Sequence, residues 1–252
     1  MFTKFTNVTF RYPRRAPLFQ GLDLEIETFP TVLLGPNGAG KSTLMGLLSG
    51  ALKPKLGTVD IAVDTQSASR RGARRSLASR VGWLPQDVKP IAGLRVREQV
   101  AYAGWLKGMT SKAAFDKAGS ALERVGLTAE AAQGAGSLSG GQRRRMGIAQ
   151  AIVNEPDFVI LDEPYAGLDP EQRSSIREVI LSLSTTVNFF VSTHQTDDLE
   201  DIYTSVVVLD HGKICFNGPT HEFLALASPE APSSMRAEQA YTELLRSARR
   251  EP

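Results

Sequence analysis

Apolar and polar residues alternate over residues 2–12 in the manner of a half-buried strand, and Leu22, Leu24 and Ile26 repeat the alternation. The chain therefore opens with sheet. Residues 31–34 form a short apolar run that enters a glycine-rich turn, and residues 41–48 follow with helical composition, giving strand, loop, helix. Between residues 93 and 126 the spacing becomes helical. Val96, Val100 and Ala103 share one face there, Tyr102, Trp105 and Leu106 lie on another, and a second helix is predicted over residues 113–125.

Residues 158–161 and 189–192 are continuous apolar runs of the kind that central parallel strands show, with a polar helical stretch between them at 171–183. Strands alternating with helices predict an α/β chain with a parallel core. Residues 206–209 and 213–216, joined through His211 and Gly212, read as a terminal hairpin. From Ser228 the character changes: Pro229, Pro232, Ser233 and Ser234 lead into an amphipathic stretch with Ala240, Tyr241, Leu244 and Leu245.

Composition narrows the classes. The 252 residues are 42% hydrophobic and 22% charged, enough apolar material for a sizeable core and unlike a disordered chain. A formal charge of +2 gives no global argument for nucleic acid or membrane. Arg70, Arg71, Arg74, Arg75 and Arg80 form a local basic run, but no stacking aromatics are interleaved with it, so it reads as a solvated face. The single cysteine, Cys215, sits between Ile214 and Phe216 and is expected to be a small buried side chain in a reducing compartment. No stretch approaches a membrane-spanning run or a signal core, which predicts a cytosolic chain.

The chemistry is concentrated in a few short segments. Gly35, Pro36, Asn37, Gly38, Ala39, Gly40, Lys41 and Ser42 satisfy GxxxxGK[ST] between a predicted strand and a predicted helix. The glycines let backbone N–H groups turn inward around phosphate oxygens, and the following helix aims its positive end at the same anion. Lys41 is expected to bridge β- and γ-phosphates, the Ser42 hydroxyl to ligate magnesium, and Thr43 to complete the nucleotide contacts. Asp162 ends the apolar run 158–161, where the metal-side carboxylate belongs, and Glu163 is placed to serve the attacking water as general base. An isolated Asp-Glu pair is a common surface feature; beside a phosphate cradle the chemical reading prevails.

Leu138, Ser139, Gly140, Gly141 and Gln142 have no counterpart in general phosphate-loop chemistry, and they resemble the signature sequence of ATP-binding-cassette proteins. Tyr12 looks like that family's adenine-stacking aromatic, Gln86 like its Q-loop glutamine, residues 166–169 like its D-loop, and His194 like its switch histidine. The resemblance covers residues 1 to about 223 and implies several things. The fold would be a P-loop NTPase core with a mostly parallel sheet, an N-terminal antiparallel β subdomain and an inserted α-helical subdomain at about 88–154. The ATPase domain would be 1–227 and the helical appendage 228–252. ATP and Mg2+ would bind, with Ser42, Gln86 and Asp162 around the metal. Glu163, His194, Gln86 and Lys41 would serve hydrolysis. Two such domains, as a homodimer or heterodimer, would close head to tail, each signature facing the other's cradle.

One cassette without coiled-coil or zinc insertions resembles the ATPase subunit of a transporter with a separate integral-membrane permease, peripheral on the cytoplasmic face of the cell membrane, with no nucleic acid partner expected. A soluble cassette protein acting on ribosomes or DNA is the alternative. The segment Val96, Arg97, Glu98 and Gln99, followed by Tyr102, Trp105 and Leu106, is similar to the helical lobe of exporters with separate membrane subunits; an importer subunit is the alternative within the class.

Overall fold

The computed structural model of the chain describes residues 2–62, 80–194, 196 and 199–248. Its strands are β1 (Phe2–Phe10), β2 (Phe19–Ile26), β3 (Thr31–Leu34), β4 (Leu56–Ala62), β5 (Val81–Leu84), β6 (Phe158–Asp162), β7 (Asn188–Thr193), β8 (Ser205–Asp210) and β9 (Lys213–Pro219). Its α-helices are α1 (Lys41–Leu48), α2 (Val96–Leu106), α3 (Ser111–Arg124), α4 (Gly140–Ile152), α5 (Pro170–Ser184), α6 (Leu199–Ile202), α7 (Thr220–Leu224) and α8 (Ser233–Ala248). The fold is α/β with mostly parallel central strands and an antiparallel N-terminal sheet, as the alternation of patterns predicts. No helix among the described residues is long and apolar enough to cross a membrane.

The chain divides into two compact units, Met1–Ala73 with Phe190–Pro252, and Arg74–Phe189. In the first, β1 lies between β2 and β4, antiparallel to both. Phe5 pairs with Leu24, Val8 with Leu22 and Phe10 with Phe19, and all six side chains are buried, which accounts for the alternation along both strands. The second sheet of this unit holds β3 between β7 and β8, parallel to each: Val32 stands opposite Val191 on one side and Val206 on the other. All four residues of β3 are buried, so Val32, Leu33 and Leu34 follow one another without the polar alternation of a half-exposed strand. β9 returns antiparallel to β8 through His211 and Gly212, both at positive φ (46° and 76°), the pattern of a two-residue type I′ turn.

Cys215 is half-buried, not buried. Successive residues of a strand point to opposite faces, so apolar Ile214 and Phe216 say nothing about the face that Cys215 occupies. Of the basic run, Arg80 is paired with Asp157 at 2.9 Å; Arg70, Arg71, Arg74 and Arg75 lie outside the described residues. The amphipathic tail forms α8, which packs against α7 and β9 and buries Ala237 and Ala240.

In the second unit β5 and β6 are parallel, with Val81 opposite Phe158 and Leu84 opposite Leu161. Helices α2, α3 and α4 pack together beside them. Val96 and Val100 are fully buried, whereas Tyr102, Trp105 and Leu106 face outward, the division that their helical spacing implies. Burying each valine stabilises this unit by about 1.5–3 kcal/mol. Local chemistry sets the helix starts. The Glu98 carboxylate accepts the Arg95 N–H at 2.8 Å ahead of α2, and Thr110 accepts from the Ala113 N–H at 3.3 Å ahead of α3. Asp169 accepts from the Gln172 N–H at 2.8 Å ahead of α5, where Pro170 occupies the first helical position.

Candidate functional site

In the first unit the loop from Gly35 to Gly40 joins β3 to α1. A β-carbon on Gly35 would lie 2.3 Å from the Leu209 carbonyl oxygen, so only glycine lets the loop leave the sheet this close to β8. Gly40, at φ 111°, turns the chain into α1, a conformation that other residues rarely adopt. That helix has no side-chain cap and no acidic residue in its first turn, which suits its positive end to an anion. The far end of the loop is braced by the hairpin turn, where the Gly212 N–H donates to the Ala39 carbonyl at 3.1 Å.

Lys41 is buried and folds back over the loop, its Nζ donating to the carbonyls of Gly35 at 2.6 Å and Pro36 at 3.3 Å. Ser42 is exposed beside it, and Thr43 is buried. Tyr12, 38% exposed, reaches Thr43: the phenol and hydroxyl oxygens are 3.0 Å apart, while Phe10 meets the tyrosine ring edge-on at 5.1 Å. His194 is exposed and directly follows Thr193, which stands opposite Leu34 in the β3–β7 ladder. The histidine thus emerges at the same end of the sheet as Gly35.

The second unit holds the remaining candidates. Asp162 is the last residue of β6 and is buried; Glu163, next in the chain, is half-buried with φ 47°. Gln86 is exposed two positions beyond β5. Ser139 caps α4 in a reciprocal pair: its Oγ accepts from the Gln142 N–H at 3.3 Å, and its own N–H donates to Gln142 Oε1 at 3.0 Å. The donors that helix geometry leaves at this end are therefore those of Gly140 and Gly141, not that of Ser139. Gly141 packs against Gln172 of α5, where a β-carbon would meet the side chain at 3.1 Å.

One residue that the motif reading passed over joins these pieces. Arg144 is 5% exposed and donates to the carbonyls of Pro85, Gln86, Asp162, Glu163 and Pro164. Burial pulls its guanidinium pKa down, while the charges of Asp162, Glu163 and Asp87 act the other way. Its signal in the sequence is position: Arg144 lies three residues after Gly141 and four before Ile148, on the buried face of α4. The structure thus gathers Tyr12, the cradle, Thr43 and His194 in one unit, and Gln86, Asp162, Glu163 and the signature helix in the other. Ser42, Gln86 and Asp162 offer only oxygen donors, the hard set that suits magnesium.

Residues 19–166 match the protein family described as ABC transporter. The chain is 33% identical over 232 residues to the phosphonates import ATP-binding protein PhnC of Thiobacillus denitrificans, covering 88% of each chain. It is 35% identical over 193 residues to the Nod factor export ATP-binding protein I of Burkholderia lata, covering 76% of this chain and 62% of that relative. The match thus spans about three-fifths of the export relative's length. Among solved structures, cbiO1 from Clostridium perfringens, described as part of the ABC transporter complex cbiONQ, superposes with a TM-score of 0.74 at 26% identity, covering 88% of this chain and 90% of that one.

Proposed function

Because the chain belongs to the ABC transporter family, whose ATP-binding proteins hydrolyse ATP to drive transport, we propose that it is the Mg-ATP-hydrolysing subunit that drives a separate membrane permease. The observation that carries this reading is the uncapped positive end of α1, faced by the Gly35–Gly40 loop with Lys41 folded against it. That is a phosphate cradle in its required strand–loop–helix setting. In the proposed site Lys41 moves from the loop carbonyls to the β- and γ-phosphates, and Tyr12 stacks on the adenine. Ser42, Asp162 and Gln86 hold magnesium, which when bound neutralises phosphate charge. Glu163 accepts a proton from the attacking water, and His194 donates to the γ-phosphate.

The donors of Gly140 and Gly141 suit the γ-phosphate of a second nucleotide-binding domain, so the working unit is a head-to-tail dimer of two such subunits. Residues 88–154 form the arm that moves on closure, 1–227 the ATPase domain and 228–252 its appendage. A permease holds the subunit at the cytoplasmic face of the membrane. Export is the direction we assign; support comes from the texture of α2 and from the likeness to a relative named for Nod factor export. The import reading is favoured by the 88% coverage of a relative named for phosphonates import.

The test is to isolate the chain from its own membranes, identify the attached polypeptide and reconstitute both in vesicles. ATP-driven accumulation inside vesicles that expose the subunit outward supports export, and accumulation from the opposite face supports import. Recovery with ribosomes or DNA, and no membrane polypeptide, removes the transporter reading.

A further inference from the structure

Three consecutive arginines at the head of α4 go three ways. Arg143 donates to the Leu138 carbonyl at 3.1 Å, Arg145 to the Gly126 carbonyl at 3.1 Å, and Arg144 turns inward. A guanidinium carries five N–H donors in a rigid plane. Arg144 places each on a main-chain carbonyl: Nε on Pro164 at 2.8 Å, Nη1 on Pro85 at 2.9 Å and Gln86 at 2.7 Å, and Nη2 on Asp162 at 3.3 Å and on Glu163. Burying a guanidinium is unfavourable unless its hydrogen bonds are complete, and here they are.

Those carbonyls belong to the segments assigned to the metal and the water. Glu163 sits at φ 47°, a region that a β-carbon disfavours, and its carbonyl takes a second hydrogen bond from the Ala166 N–H at 3.1 Å. The peptide after Glu163 is therefore fixed from two directions, and with it the point on the backbone from which the Glu163 side chain leaves.

We propose that Arg144 is a positioning residue for hydrolysis, locking the peptides of Gln86, Asp162 and Glu163 to the helix headed by Ser139–Gln142, so that a phosphate engaging that helix and the carboxylate serving the water move as one piece. The inference rests on the proposed role of Glu163 as general base.

Arg144→Lys keeps the charge but replaces the planar fork by a single nitrogen. In the full-length chain, ATP affinity, thermal midpoint and single-turnover hydrolysis are measured for Arg144→Lys, Glu163→Gln and the double variant. Arg144→Lys should lower the hydrolysis rate by at least about tenfold while ATP affinity stays within about twofold. Adding it to Glu163→Gln should change the residual rate by less than about twofold, because both changes act on one function. Arg144→Gln repeats the measurement with a neutral planar donor if the lysine variant does not fold. A rate near wild type in Arg144→Lys with loss in Glu163→Gln overturns this inference alone, and so does a multiplicative loss in the double variant. A parallel fall of ATP affinity and melting in both arginine variants reduces Arg144 to a packing element and likewise overturns it. Full turnover by Glu163→Gln overturns the base assignment and this inference with it.

Discussion

The phenolic oxygen of Tyr12 lies 3.0 Å from the hydroxyl of Thr43, tying the ring beyond β1 to the helix that follows the phosphate loop. With Phe10 edge-on at 5.1 Å, the ring is held from two sides while Tyr12 stays 38% exposed, as the stacking proposed for it requires. Tyr12→Phe removes only the hydrogen bond, worth about 0.5–1.5 kcal/mol, and should weaken ATP by less than about tenfold. Tyr12→Ala removes the stacking face as well and should weaken ATP and GTP alike, since every purine presents a π-face. Titrating both nucleotides against both variants is the check. A loss confined to ATP would show that the adenine edge is read.

Lys41 and Glu163 should separate binding from turnover. Lys41→Ala removes a buried cation from the loop and should reduce ATP affinity by about 1.5–3 kcal/mol, the range for a hydrogen bond to a charged group. Glu163→Gln keeps the shape but not the basicity, and should hold ATP while hydrolysis falls by about 10²–10⁴-fold. ATP should then accumulate a closed dimer on a sizing column. Hydrolysis by Glu163→Gln at the wild-type rate would remove the residue from the base role.

Much of this site was legible because its residues sit at punctuation marks. The glycines around residues 35–40 bound β3 and α1, and both elements span the residues that the pattern predicts. Two strands gave no such signal. β4 opens with exposed Leu56 and Gly57 at φ 82°, and β5 is four residues long with a glycine inside it. Their pairing comes from tertiary partners rather than local pattern. Arg144 escaped for a related reason: arginine is read as a surface residue by type, and only its three- and four-residue spacing to Gly141 and Ile148 places it inside. The motifs mark the residues to which chemistry is assigned in the proposed site, while the groups that hold them are spread over carbonyls that carry no sequence signature.

Lys107 gives a pH-dependent prediction. It follows α2 and donates to the Val81 carbonyl at 3.0 Å, and burial lowers its pKa below the ordinary 10.5. At pH values between the folded pKa and 10.5 the unfolded chain holds a proton that the folded chain has released, so stability rises with pH through that window. Below the window both states are protonated and the unfavourable burial is felt in full. Urea unfolding of wild type and Lys107→Met from about pH 8 to about pH 10.5 isolates this contribution. The stability of wild type relative to the variant should climb with pH. A flat difference would mean that the ammonium is as well solvated folded as unfolded.

The outer face of α2 should be where a permease grips the subunit. Tyr102 and Trp105 stack with ring centroids 5.7 Å apart and planes at 22°, at 42% and 51% exposure, and Leu106 beside them is 62% exposed. Val96 and Val100, by contrast, are fully buried, so of these five apolar positions two build the lobe and three remain outside it. Tryptophan and tyrosine are enriched among the few interface positions that carry most of the binding energy, where truncating one costs about 2 kcal/mol or more. The same change on a free surface alters stability by only about 0.5 kcal/mol, or up to about 1.5 kcal/mol when an aromatic pair is broken. Trp105→Ala should therefore leave ATP binding and folding nearly intact while lowering affinity for the permease by at least about tenfold. Gln86→Ala should lower both activities, and transport more than ATPase activity. Cysteines placed around Gln86 and Trp105 and in the co-expressed permease should crosslink, with a yield that changes when ATP is added. If Trp105→Ala binds the permease as wild type does and no crosslink forms, this face is not the grip.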